Sequence, residues 1–135
     1  MNSHLDYVNG IGLTPAFIEK HQFHIETVDF SAGSVLFKPN DSCHLFLILL
    51  SGSIRVELTS RNGRLITLYR MSSGESCILT TSALLNDEQY YAQGIAESDI
   101  TALAIPAEDF HRMVEIAPDF SRFVLRDYAK RVTSI

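Results

Sequence analysis

The sequence predicts a mainly β domain flanked by helices, and three observations support this fold class. From residue 23 to residue 105, short runs of apolar and β-branched residues alternate with turn residues at intervals of about 8 to 12, as in an all-β sandwich or barrel. After this stretch, apolar residues recur at helical spacing, and before it a Thr-Pro pair signals a helix start. The 135 residues, 46% of them apolar, suit one globular domain spanning 1–135.

The first elements are a loose arm and a short helix. Residues 1–13 carry two glycines and little periodicity, so we expect an arm without regular structure. Thr14-Pro15 then predicts a helix over about 16–21, because the threonine hydroxyl caps free amides and proline fits the first helical position.

Eight strands follow in the prediction. They are Phe23–Phe30, Val35–Phe37, Leu45–Leu50, Ile54–Thr59, Leu65–Met71, Cys77–Thr80, Gln89–Ala96 and Ile100–Ile105. Asn62-Gly63 is the strongest hairpin signal between them. The strict alternation of residues 53–58 predicts one buried face, whereas the run 45–50 is apolar on both faces and predicts a central strand covered on each side.

Two helices are predicted after Pro106. Phe110, Met113, Val114 and Ala117 recur at helical spacing, and acids at 108 and 109 suit the first turn of a helix. Past Pro118 the apolar stripe consists of Phe120, Phe123, Val124, Tyr128 and Val132. The basic residues Arg122, Arg126, Lys130 and Arg131 are expected on the solvated face. This helix reaches the chain end without a stop signal, which suggests truncation.

Composition argues against several functions. The net charge is −5, from 11 basic and 16 acidic residues, and phosphate binding along nucleic acid needs clustered cations. The longest apolar run has six residues, at 45–50, against roughly 20 for a membrane span. No secretion signal is visible, so the predicted location is the cytoplasm. Two cysteines make no disulfide framework, and free thiols are expected.

Individual stretches resemble a known family. Residues 32–37 (AGSVLF), 46–56 (FLILLSGSIRV), 62–69 (NGRLITLY) and the turn 73–75 (SGE) resemble, in order and spacing, the cyclic-nucleotide-binding sensor domain of Crp/Fnr-family bacterial transcription regulators. The resemblance covers about residues 14–132. It implies a double-stranded β-helix jelly roll over about 23–105, followed by two helices over about 107–135.

The resemblance also implies a role and partners. In this family the last helix pairs with its twin, so a homodimer through Phe120, Phe123, Val124, Tyr128 and Val132 is expected. A helix-turn-helix domain normally follows, and DNA is contacted only there. The chain stops at Ile135, so the expectation is an excised sensor half or a shortened relative that lacks the DNA reader.

The ligand cassette departs from the family pattern. Relatives that bind nucleotide use a Gly-Glu pair for the ribose and an Arg-Ser pair for the cyclic phosphate. Here residues 80–82 (TTS) replace the first pair, residues 90–92 (YYA) stand where Arg-Ser-Ala is expected, and no arginine lies between positions 70 and 112. Without charge-assisted bonds a buried phosphate is costly, so cAMP is disfavoured.

The cassette still suggests candidate residues for an unnamed effector. They are Glu75, Cys77, Thr80, Thr81, Ser82, Tyr90 and Tyr91. The two tyrosines are adjacent and should point to opposite faces of a strand, so one of them could fill the vacant pocket.

Two alternatives stay open at this point. One is a true cyclic-nucleotide binder with a divergent cassette, and the other is a thiol or metal redox sensor that uses Cys43 and Cys77. An iron-sulfur cluster usually takes four cysteines, and His44 beside Cys43 is a weak metal signal, so no metal is expected. No His-x-His pair or phosphate loop is present, and no catalytic residue is predicted.

Overall fold

A computed structural model describes residues 10–133 as two facing antiparallel sheets, one of them covered by helices. The helices are α1 (Pro15–His21), α2 (Ile78–Asn86), α3 (Ala107–Ile116) and α4 (Pro118–Thr133). The strands are β1 (Glu26–Phe30), β2 (Val35–Phe37), β3 (Leu45–Ser51), β4 (Ile54–Thr59), β5 (Leu65–Met71), β6 (Gln93–Ala96) and β7 (Ile100–Pro106). The predicted mainly β fold with an N-terminal helix and two C-terminal helices is confirmed.

The sheets have the orders β1-β7-β3 and β2-β6-β4-β5. β3 was expected at the centre of its sheet, but β7 occupies the centre and β3 lies beside it at the edge. That edge is occupied, because the N–H of Leu49 donates to the carbonyl of Glu75 (2.9 Å) and the N–H of Gly74 donates to the carbonyl of Leu49 (2.7 Å). The segment that leads into α2 is therefore held against β3.

β3 is buried on both faces, as its sequence predicts. Successive strand residues point to opposite sides. Phe46 and Ile48 are fully buried in the cluster under the helices, while Leu49 is fully buried in the cluster between the sheets. The Phe46 ring lies 4.7 Å from the Phe110 ring and 5.8 Å from the Phe120 ring, centroid to centroid, so one side chain joins β3 to both C-terminal helices.

The predicted strand at residues 77–80 is wrong, because helix α2 begins at Ile78. The stretch 78–85 (ILTTSALL) has two apolar blocks around Thr80, Thr81 and Ser82, so its apolar residues show neither strict alternation nor clear helical spacing. The helix ends at Asp87, whose backbone adopts a left-handed conformation with φ of 54°. The prediction for 89–96 is too long as well, since β6 starts only at Gln93.

The N-terminal end matches the prediction in part. The side chain of Thr14 caps α1 by accepting the N–H of Phe17 at 3.1 Å, as predicted. Residues 1–9 of the expected loose arm lie outside the described residues. Its remaining part is not loose, because Ile11 and Leu13 are 8% and 0% exposed in the cluster under the helices. None of the helices within residues 10–133 combines the length and apolar content needed to cross a membrane.

Gly94 on β6 provides a test of the packing between the sheets. A Cβ at this position would lie 2.4 Å from the ring of Phe37. We expect Gly94→Ala to lower the free energy of unfolding by about 1 to 3 kcal/mol, because it overpacks a filled core.

The control is Gly10→Ala, since a Cβ there meets nothing within 4 Å. Urea unfolding followed by circular dichroism measures both variants. Equal stabilities of Gly94→Ala and the parent chain would contradict the described contact between Phe37 and β6.

Candidate functional site

A cavity of about 560 Å³ opens into the space between the two sheets. Its floor is buried and is formed by side chains of the cluster between the sheets, and its rim is the exposed turn 40–44 before β3. The lining residues are Leu36, Phe37, Asn40, Asp41, Ser42, His44, Leu45, Leu47, Ile54, Met71, Cys77, Thr80 and Tyr90. The volume lies within the roughly 300–1,000 Å³ typical of small-molecule sites.

An aromatic pair forms one wall of this cavity. The rings of Phe37 and Tyr90 stack with centroids 4.0 Å apart and an interplanar angle of 13°. Phe37 can lie flat against β6 only because Gly94 has no side chain. The pair therefore holds Tyr90, 7% exposed, in a fixed place at the cavity floor.

The Tyr90 hydroxyl is satisfied within the protein. It lies 2.8 Å from the Thr80 Oγ1 atom and 3.3 Å from the Cys43 Sγ atom, both within hydrogen-bond reach. Burial raises the pKa of Tyr90 far above its ordinary value, and the hydrogen bond with Cys43 raises it further. The hydroxyl is therefore neutral at physiological pH.

The two thiols lie in apolar surroundings. Cys77 is 3% exposed, and its Sγ atom is 2.9 Å from the Tyr69 hydroxyl. Burial raises the pKa of Cys43 and the nearby Cys77 adds to the rise, while the hydrogen bond with the Tyr90 hydroxyl and the thiol's bond to the Leu45 carbonyl oppose it. Since the thiolate is the reactive form, Cys43 is a poor nucleophile at neutral pH.

No arginine or lysine is among the described residues that line the cavity. The arginines of β4 and β5 pair with carboxylates: Arg55 donates to Glu57 at 2.7 Å, and Arg70 donates to Glu97 at 3.1 Å. Arg55 also reaches Glu97 at 3.2 Å. Because Ile54 on the same strand packs into the cluster between the sheets, strand alternation places this ionic network on the outer face.

Glu75 joins the segment before α2 to helix α4. Its carboxylate lies 3.3 Å from the Lys130 Nζ atom and 3.3 Å from the Arg131 Nη2 atom. The Arg131 guanidinium also sits 4.7 Å above the Tyr69 ring. Arg131 was expected to be solvated and this is wrong, since only 21% of its side chain is exposed.

A second link lies beside the first. The Ser76 hydroxyl and N–H both donate to the Asp127 carboxylate, at 2.6 and 3.1 Å. From the neighbouring position on α4, the Tyr128 hydroxyl lies 3.3 Å from the Ser82 hydroxyl. The C-terminal half of helix α4 is thus bonded to the segment that forms one side of the cavity.

The structure separates the candidate effector residues into groups. Cys77, Thr80 and Tyr90 line the cavity. Glu75 and Ser82 face α4 instead, while the buried Thr81 hydroxyl donates to the Cys77 carbonyl. Tyr91 is 61% exposed, so the two tyrosines do point to opposite sides, although they lie in a loop rather than a strand.

Sequence reasoning singled out neither Asp41 nor His44 as an effector contact at the rim. Asp41 belongs to a turn identified only as a connection between strands, and His44 was weighed only as a weak metal signal. One signal was available, because Pro39-Asn40-Asp41 marks a tight turn, and Asn40 does adopt a left-handed backbone with φ of 74°. Nothing in the sequence places that turn opposite Tyr90.

The predicted stripe on α4 divides into two faces. Phe120 and Val124 are 0% and 6% exposed and pack on their own domain. Phe123 is partly buried beside them. Tyr128 and Val132 are 38% and 51% exposed. Leu125, which the predicted stripe omitted, is 70% exposed.

No three His, Cys, Asp or Glu side chains among residues 10–133 come close enough together to hold an ion. Cys43 and His44 are neighbours in sequence, but within the described residues no third side chain joins them to complete a metal site.

Comparison with known proteins identifies the family and the fold. A family model described as cyclic nucleotide-binding domain matches residues 27–116. The chain therefore belongs to the cyclic nucleotide-binding domain family. No curated protein sequence matches the chain.

Solved structures with this fold include transcription regulators. The Thermus thermophilus catabolite activator protein matches with a TM-score of 0.73 and 22% identity, over 91% of this chain and 57% of that one. A putative Crp/Fnr-family transcriptional regulator from Eubacterium rectale matches with a TM-score of 0.74 and 25% identity, over 90% and 56%. The Xanthomonas campestris regulator CLP, described as responsive to c-di-GMP, matches with a TM-score of 0.72 and 17% identity, over 87% and 59%.

These neighbours confirm the resemblance to Crp/Fnr regulators and the jelly-roll fold. The chain spans just over half the length of the three regulators.

The contacts of Glu75 predict a pH-dependent stabilisation. Burial alone would raise the pKa of Glu75, but hydrogen bonds from Ser72 and Lys130 and the charge of Arg131 hold it below its ordinary value of 4.5. The ionised form is therefore favoured in the folded state. This stabilisation is complete above about pH 4.5 and is lost as the pH falls through the lowered pKa.

We expect Glu75→Gln to lower the free energy of unfolding by about 1 kcal/mol at pH 7, because two ion pairs with α4 are lost. The difference from the parent chain should vanish at acid pH. Urea unfolding across pH measures it, with the exposed Glu115→Gln as control. A difference that persists unchanged at acid pH would refute the ionic origin.

Proposed function

We propose that this chain is the effector-sensing domain of a Crp/Fnr-like transcription regulator, that it does not retain cAMP, and that it signals through helix α4. The observation that carries the proposal is a cavity that has no lysine or arginine among its described lining residues and one side of which is bonded to α4. The domain is noncatalytic in this proposal and works in the cytoplasm. DNA is reached only through a domain beyond the residues of this chain.

The charge of the cavity decides against a cyclic phosphate. Phosphate sites use arginine forks or clustered backbone N–H groups that form charge-assisted hydrogen bonds. Tyr90 stands where the family pattern expects that arginine, and its hydroxyl is already paired with Thr80. Asp41 at the rim would repel an anion. Desolvation of the phosphate would therefore go uncompensated.

Calorimetry with cAMP and with cGMP tests this directly. We expect no binding heat for either nucleotide at concentrations up to about 1 mM, which corresponds to a binding free energy weaker than about −4 kcal/mol. Saturable heat with either one, abolished by Thr80→Leu, would establish the alternative of a nucleotide site with a divergent cassette. A circular-dichroism melt of the same sample verifies that the protein is folded.

Helix α4 is the proposed contact with a second copy of this chain. Leu125, Tyr128 and Val132 are spaced i, i+3 and i+7 and are all exposed on one side of the helix. This spacing is that of the apolar seam between two paired helices. Phe120, Phe123 and Val124, which were also expected in the seam, instead pack wholly or partly on their own domain.

A charged residue in this seam should oppose pairing. We expect Leu125→Lys to weaken dimerisation by about tenfold or more, because it removes apolar area and buries a charge. Sedimentation equilibrium measures the change. Ile116→Lys on α3, at a residue that is 43% exposed, is the control and should leave dimerisation unchanged. Equal association of the two variants would remove α4 from the interface.

Coupling between the cavity and α4 follows from shared elements. Thr80 faces the cavity from α2, and Ser82 on the same helix meets Tyr128. An effector that binds more tightly when α2 is in one of two positions would favour that position. The shift would reach α4, because Glu75 and Ser76, just before α2, also bond to α4. The thiol alternative draws no support from Cys43, whose pKa is raised rather than lowered.

A further inference from the structure

The ligand of the cavity can be assigned a chemical class from its lining. We infer that the cavity accepts an uncharged small molecule with an apolar ring-sized body and one hydrogen-bond donor. This inference rests on the proposed function, because it names the effector class of the same site.

The walls favour an apolar body. Leu36 and Leu47 are half-buried and Leu45 is 43% exposed, and all three line the cavity opposite the stacked rings of Phe37 and Tyr90. Apolar side chains around a concave space lose unfavourable contact with water when a ligand covers them. A flat ligand would also extend the aromatic wall.

The floor offers a ligand no unmet polar partner. The Tyr90 hydroxyl is paired with Thr80 and Cys43, and the Cys77 thiol is paired with Tyr69. Within the described residues, every buried side-chain nitrogen and oxygen has a hydrogen-bond partner. A polar group pushed to the floor would lose its water without replacement, so the inner end of the ligand is apolar.

The rim sets the polar requirement. Asp41 accepts the N–H of Lys38 at 3.0 Å through its Oδ2 atom, which leaves acceptor capacity for a ligand donor. His44 stands beside it, and neither lysine nor arginine lines the cavity. A hydroxyl, amide or amine N–H at the outer end of the ligand fits this rim, whereas an anionic group meets a carboxylate.

Two probes that share one skeleton test the class. N-phenyl-1-naphthylamine is uncharged and carries two ring systems and one N–H donor, and 1-anilinonaphthalene-8-sulfonate adds a sulfonate to the same skeleton. We expect the neutral probe to bind one per chain with saturable fluorescence, and the sulfonate to bind at least about tenfold more weakly.

Substitutions locate the binding. Leu47→Trp and the more exposed Leu45→Trp fill the cavity and should each weaken the neutral probe severalfold, while Leu125→Lys on α4 should not. His44→Lys adds a cation at the rim and should strengthen binding of the sulfonate severalfold. Thr67→Lys, outside the cavity on β5, is its control. Circular-dichroism melts confirm that each variant is folded.

Several results would overturn the inference. They are equal affinity for the two probes, absence of saturable binding by the neutral probe, and binding that survives both tryptophan substitutions in folded protein. If these occur while cAMP still gives no heat and α4 still dimerises, only the ligand class fails. Saturable cAMP heat would instead defeat the proposed function.

Discussion

Strand β3 must be covered on both faces, and the remaining architecture is arranged around that requirement. Phe46 and Ile48 need the helices on one side, and Leu49 needs the second sheet on the other. An apolar strand left open on either face would lose several kcal/mol of burial. Because the Phe46 ring contacts both Phe110 and Phe120, the two C-terminal helices are held against β3.

The edge of β3 that does not pair with β7 positions the segment before α2. This edge forms backbone hydrogen bonds with residues 74–76, so the start of the ligand cassette lies between the jelly roll and α4. From that position Glu75 faces Arg131, and Ser76 faces Asp127. The cavity and the proposed signalling helix thereby share a connecting segment, and neither can move far without straining these bonds.

Charge is distributed so that the roll is ionic outside and neutral inside. Glu57 is 3% exposed, yet Arg55 and Gln93 satisfy it, and the Arg55 hydrogen bond holds its pKa below the ordinary value despite burial. Inside, the tyrosine hydroxyls, the thiols and Thr80 pair with one another. Among the described lining residues, a ligand entering this space meets apolar surface and the Asp41 carboxylate but no lysine or arginine, which distinguishes it from a phosphate cradle.

Local sequence determined the elements whose pattern is strong by itself. The alternation in β4, the two-faced run of β3, the Thr14 cap and the helical spacing of Phe110 and Met113 are all properties of neighbouring residues. Only the tertiary structure decided that residues 78–86 form a helix, because the apolar residues of this stretch follow neither the strand period nor the helical period. The tertiary structure also decided that the Arg131 side chain pairs with Glu75 and that Asp41 and Tyr90 line the same cavity. Such contacts depend on how segments distant in sequence pack together.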